Sequence, residues 1–154
     1  MNRQSSRADK ARVPLRIDKK RIILPVFIDC PKLRIRMQYA EFVIDTGSPE
    51  SYLNQHESQR LQIPIRDRPI MGSVAFGGSR FSHVELPEMT FHMYTENGPV
   101  SANAKLQTLI TSEKPSKEKI EGSQLPNIIG ISFLELQKLG LHVIIHEDNA
   151  YLET

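Results

Sequence analysis

A single cysteine, Cys30, stands in the 154 residues. One thiol closes no internal disulfide, so the expectation is a small half-buried side chain in a reducing, cytoplasmic setting. Long apolar runs are missing as well. The longest, Arg21 to Cys30, is interrupted by Pro25 and falls short of the roughly 18–20 residues of a spanning helix, so no membrane span is expected. No apolar segment follows the polar, basic N-terminus, which therefore does not read as a secretory signal. Charge of one sign is scarce too. The formal net charge is +2, which leaves no broad electrostatic case for nucleic acid or an anionic membrane. Arg34 and Arg36 read as a solvated face or a subunit edge. Metal chemistry lacks its ligands: His142 and His146 share a strand face and His83 and His92 lie on nearby hairpins, without cysteines or an evident third ligand. No metal and no cofactor are expected.

What is present suits one globular domain, with 39% hydrophobic and 25% charged residues. Residues 1–12 carry Arg3, Arg7, Lys10 and Arg12 with almost nothing apolar, and are expected to be a disordered basic tail ahead of a domain at 13–154. Ile22 to Ile28 is a β-rich run. After Asp29-Cys30-Pro31, the residues Leu33, Ile35, Met37 and Tyr39 alternate with Arg34, Arg36 and Gln38, which predicts a strand with one wet face. Phe42-Val43-Ile44 then runs apolar into Asp45.

Two short helices are legible. Asn54 and Glu57 have capping-box spacing ahead of Leu61. Ser132 and Glu135 repeat it ahead of Leu136 and Leu139, with Gly140 placed as a left-handed C-cap. Gly77-Gly78 between Ser73–Phe76 and Ser79–Val84 predicts a two-residue hairpin, and Glu96-Asn97-Gly98-Pro99 another turn. Thr111 to Gln124, rich in Lys and Glu, reads as a solvated loop. Asp148-Asn149 joins a last pair of strands. Many short strands with two short helices make an all-β domain.

The chemistry concentrates at Asp45-Thr46-Gly47-Ser48. A carboxylate ending a buried strand is costly unless it is paired, hydrogen-bonded or protonated. Gly47 lets backbone N–H groups approach it, and Thr46 and Ser48 add hydroxyls. An acid held still in a semi-dry place suits acid–base catalysis. The same residue also fits a turn-forming Asx position.

Apolar-apolar-apolar-Asp-Thr-Gly-Ser resembles the active-site loop of retropepsin-like aspartic proteases. Two further stretches extend the resemblance in the family's order. Ala75-Phe76-Gly77-Gly78 stands where that family has its flap hairpin. Asn127-Ile128-Ile129-Gly130, running into a helix and Gly140-Leu141, looks like the segment that packs behind the catalytic loop. Together they span roughly Ile22 to Leu152.

The resemblance implies a closed acid-protease β-barrel with a flap and one or two short helices. It also implies a homodimeric aspartic endopeptidase acting on polypeptide. The chain holds one Asp-Thr-Gly, so two Asp45 carboxylates would meet across a dimer axis, share a proton and activate water. Thr46 and Gly47 would complete the catalytic loop. Ser48 would support it and stabilise the ionised carboxylate, shifting the optimum toward acid pH. The flap residues Phe76, Gly77 and Gly78, with Glu50, Ile129 and Tyr52, would contact substrate.

The chain departs from the retroviral pattern at two places. Pro49-Glu50 stands where acidic residues hold substrate backbone, and Ile131-Ser132 stands where an arginine opens the helix. These departures keep open a second reading, a retropepsin-fold dimerisation or peptide-binding module with little or no turnover. A third expectation is self-removal of the basic N-terminal segment.

Overall fold

The computed structural model describes residues 10–76, 78–111 and 125–154. The N-terminal tail up to residue 9, the charged segment 112–124 and Gly77 lie outside the described residues. The chain runs β1 (Arg12–Pro14), β2 (Arg16–Asp18), β3 (Arg21–Cys30), β4 (Ile35–Ile44), β5 (Tyr52–Leu53), α1 (Gln55–Arg60), β6 (Ile70–Phe76), β7 (Ser79–Glu85) and β8 (Met89–Thr95). It continues with β9 (Gly98–Ala104), β10 (Gln107–Thr111), β11 (Asn127–Ile129), α2 (Ile131–Leu136), β12 (Gly140–Ile144) and β13 (Asn149–Glu153).

The architecture is all-β with two short helices among the described residues. The larger sheet has the order β6-β7-β10-β5-β11-β4-β3-β8-β9, with β2 added to β3, and a smaller one has the order β1-β13-β12. The closed barrel implied by the resemblance is not formed. Its end strands β6 and β9 do not pair, because β6 stands mostly in solvent and carries its outer edge away from the core.

Alternation in β3 sends Leu24, Val26, Ile28 and Cys30 inward. They join Phe42 and Ile44 of β4, Met89 and Phe91 of β8, Phe133 and Leu134 of α2 and Leu152 of β13 in one core. Phe42, Phe91 and Phe133 stack in sequence, with ring centroids 5.0 and 5.6 Å apart. Burying each such ring contributes roughly 1.5–3 kcal/mol. A separate cluster of Tyr52, Phe81, Leu109 and Ile128 covers a second face of the sheet.

Three local expectations change. Met37 and Tyr39 do not share the buried face of Ile35. They are 49% and 45% exposed, whereas Ala40, Phe42 and Ile44 point inward. Between the pairs Ile28↔Gln38 and Cys30↔Ile35 the partner strand β4 carries an extra residue, and Met37 has φ 43. That bulge reverses the phase of the alternation. The second helix is capped two residues earlier than expected, with Gly130 at its N-cap and no side-chain cap, because Ser132 turns its hydroxyl elsewhere. Gly140 opens β12, and the left-handed residue after the helix is Lys138, with φ 53. The first helix forms as expected, with Asn54 accepting from the Glu57 N–H at 2.6 Å.

Candidate active site

β4 and β11 run parallel and adjacent, with Ile129 opposite Ile44. β5 closes the other side of β11, with Tyr52 opposite Ile128. The loop Asp45 to Ser51 thus leaves one strand and returns to the sheet across the end of a short third. Asp45 is seated by its own N–H, which donates to the Ile129 carbonyl at 2.9 Å. Its carboxylate Oδ1 accepts from the Gly47 N–H at 2.9 Å, and the Ser48 N–H donates to the Asp45 carbonyl at 3.0 Å. A Cβ on Gly47 would lie 3.2 Å from that carboxylate oxygen, so the glycine permits the close approach. Asp45 is half-buried, Thr46 and Gly47 are exposed and Ser48 is buried.

The N-terminal turn of α2 clamps the loop from behind. The Ile131 N–H donates to the Ser48 carbonyl at 2.8 Å and the Ser132 N–H to the Pro49 carbonyl at 3.0 Å. The Ser132 hydroxyl donates to the same Pro49 carbonyl at 2.5 Å. Ser51, only 3% exposed, accepts from the Gly130 N–H at 2.9 Å. Gly130 has no space for a side chain: a Cβ there would sit 2.2 Å from the Glu50 carbonyl oxygen and 2.6 Å from that of Ser48. Ser51 is not singled out by the sequence, and Ser132 is read there only as a helix cap. Their hydroxyls meet backbone groups that only the fold brings near, and no local pattern marks that role.

The remaining candidates fall at different distances from this loop. Ser48 donates its hydroxyl to the Glu50 carbonyl at 2.8 Å. It braces the turn from inside, so the acid-shifted optimum expected from a Ser48–carboxylate bond loses its basis. Glu50 is exposed at the loop's outer side. Burial, followed by the Glu50 charge, pushes the Tyr52 phenol above its ordinary pKa. Phe76 lies edge-on to Tyr52 with ring centroids 5.4 Å apart, which brings the arm of the β6–β7 hairpin over β5. Gly78 has φ 78 and open space around it, as a two-residue hairpin turn requires. Ile129 is a correction: it is fully buried in the main core, so it supports the loop from beneath and faces no cleft. Among the described residues no three His, Cys, Asp or Glu side chains converge as a metal site. His142 stacks on Tyr151 at 4.7 Å. A cavity of about 520 Å³ around Asp18, Lys19, Glu41, Asn54 and Asn127 does not include Asp45. No helix among the described residues is long and apolar enough to cross a membrane.

No family model and no curated protein matches the sequence. Solved structures do match. The chain superposes on a retropepsin-like aspartic protease from Rickettsia conorii with a TM-score of 0.56 and 12% identity, over 94% of this chain and 92% of that one. EIAV protease in complex with the inhibitor HBY-793 aligns at 14% identity, over 81% of this chain and 95% of its own, with a TM-score of 0.49. The retroviral protease-like domain of Ddi1 from Leishmania major aligns at 13% identity, over 83% and 91%, with a TM-score of 0.39. The Rickettsia likeness shows the fold: this chain has the retropepsin-like fold, and the order of loop, hairpin and glycine-helix segment seen in the sequence is the order in which that fold is built.

Proposed function

We propose that this chain, built on the retropepsin-like fold, is one half of an aspartic endopeptidase whose homodimer pairs two Asp45 carboxylates. One observation carries the reading. A complete scaffold of backbone bonds, a glycine with no room for a side chain and three buried or clamping serines holds one Asp-Thr-Gly turn, its Asp45 half-buried, in fixed geometry. Such preorganisation suits a catalytic carboxylate better than an ordinary turn.

The proposed chemistry needs the second copy. Two carboxylates about 3 Å apart do not both ionise, so one carries a proton. The charged partner takes a proton from water as it attacks the peptide carbonyl. The protonated partner donates to the carbonyl oxygen, and the tetrahedral intermediate collapses as the leaving amine is protonated. Gly47 N–H keeps the carboxylate oriented throughout. Thr46, exposed at the turn, is free to meet its symmetry mate. Ile131 and Leu136 of α2 are 41% and 69% exposed, and this apolar surface beside the loop suits burial against a second chain. The β6–β7 hairpin would close over an extended peptide, with Glu50 at its edge.

Digestion of an unfolded protein library across pH 4–7, with and without pepstatin, tests this. Wild type is expected to cut, and Asp45→Asn and pepstatin each to abolish cutting. Equal cleavage by wild type and Asp45→Asn would overturn the peptidase. Peptide binding without cleavage under any condition would favour the binding module.

A further inference from the structure

Two buried polar atoms among the described residues have no hydrogen-bond partner, His83 Nδ1 and Gln107 Oε1. Strand register puts them on one face. Gln107 pairs with Tyr52, Leu109 pairs with His83, and Gly72 pairs with His83 from the other side. Paired residues share a face and so do residues two apart. Tyr52, Gln107, Leu109, His83 and Gly72 therefore line a single surface, which Phe76 of the same hairpin arm partly covers. Val43, opposite Ile128, belongs to that face, and continuing the alternation leads to Asp45.

The environment of His83 is specific. Its ring stands edge-on to Tyr52 at 6.5 Å. Gly72 leaves room for its other nitrogen, since a Cβ there would lie 3.0 Å from Nε2. Tyr52, Phe81, Leu109 and Ile128 make the surroundings apolar. Buried polar atoms are almost always partnered, and an orphan marks a missing water, ion or ligand. Two orphans on one face, beneath the flap hairpin and beside the catalytic turn, mark a position that a ligand completes.

We infer that His83 and Gln107 form a polar subsite that selects a carboxamide side chain, Asn or Gln, in the bound peptide. A carboxamide offers both groups the site requires: its N–H₂ donates to Gln107 Oε1 and its oxygen accepts from His83 Nδ1–H. An aliphatic side chain leaves both atoms orphaned, and a site built to hydrogen-bond discriminates strongly against such an analogue. Entry requires the β6–β7 arm, with Phe76, to lift from Tyr52. The inference rests on the proposed peptide-binding cleft but not on turnover.

The test separates the two. Full-length protein carrying Asp45→Asn, unable to cut, is immobilised and panned with a random octapeptide library, and the bound peptides are sequenced. Enrichment of Asn or Gln at one position is expected. Adding His83→Phe or Gln107→Leu is expected to lower it by about tenfold or more, in favour of apolar residues. Gln107→Glu, which keeps the shape and the acceptor oxygen, is expected to retain it and guards against simple misfolding. No carboxamide enrichment, or enrichment unchanged by His83→Phe and Gln107→Leu, overturns the subsite and leaves the orphans to a structural water. Enrichment without cleavage by the wild type would instead retain the subsite and defeat the peptidase.

Discussion

A Cβ at position 130 has nowhere to go, because the atoms it would strike are backbone carbonyls of the Asp45–Ser51 loop, the nearest at 2.2 Å. Gly130→Ala must displace the Glu50 and Ser48 carbonyls, and overpacking of this kind costs about 1–3 kcal/mol or more. The expected result is a lower urea midpoint and no cleavage, since Ile131 and Ser132 lose their bonds to the loop together. Ser48→Ala makes a different prediction. Its hydroxyl serves the Glu50 carbonyl, so removal costs about 1 kcal/mol of stability. A pH–rate profile whose acid limb stays in place confirms that role, and a limb that moves would restore the carboxylate contact. Charge acts further away. A hydrogen bond from Arg16, working against desolvation, lowers the Glu41 carboxyl below the usual carboxylate range. A carboxylate depressed by folding stabilises above its unfolded pKa, and that contribution is lost as pH falls through the folded value. The pair is largely exposed, so solvent screening keeps its contribution small. Thermal melts of wild type and Arg16→Gln are expected to differ slightly at pH 7 and to converge only as pH falls through the lowered pKa of Glu41.

Among the elements, the β2–β3 hairpin carries strain that sequence patterning did not disclose. Asp18 pairs with Arg21 across Lys19-Lys20, and both lysines have positive φ, 47 and 63. That is the turn for which Asn-Gly is suited and lysine is not. Lys19→Asn with Lys20→Gly is expected to raise stability by about 1–2 kcal/mol, read as a shifted urea midpoint at unchanged slope. The same contrast explains what was legible. The turn at Gly78 and the cap Asn54–Glu57 were readable because the residues carry the turn or the cap in their own chemistry. Asp45-Thr46-Gly47 was readable because an acid ending an apolar strand conflicts with local rules. The phase of β4 was hidden, since its reversal at Met37 depends on the register against β3. Ser132 resembled a helix cap in sequence, but its hydroxyl bonds Pro49 from the distant loop. The orphaned atoms of His83 and Gln107 emerge only once β7 and β10 are paired.

For the molecule as a whole, the question is whether one chain can act alone. A single chain presents a half-buried Asp45 with one backbone donor on its carboxylate and supplies one Asp-Thr-Gly. If the reacting unit contains two Asp45 side chains, an inactive copy must poison an active one. Mixing wild type with Asp45→Asn under conditions of subunit exchange forms heterodimers that hold one reacting carboxylate and one amide. With equal amounts and random pairing, activity per wild-type chain is expected to fall to about half, and a large excess of Asp45→Asn should abolish it. Leu136→Arg, which places a charge on the exposed apolar surface of α2, is expected to raise the concentration at which wild-type specific activity reaches its plateau and to weaken the poisoning in step. Activity strictly proportional to wild-type chain at every mixing ratio, in samples shown to exchange subunits, would mean that each Asp45 works without its mate. The paired-carboxylate mechanism would then fall, although the fold that positions the turn would remain.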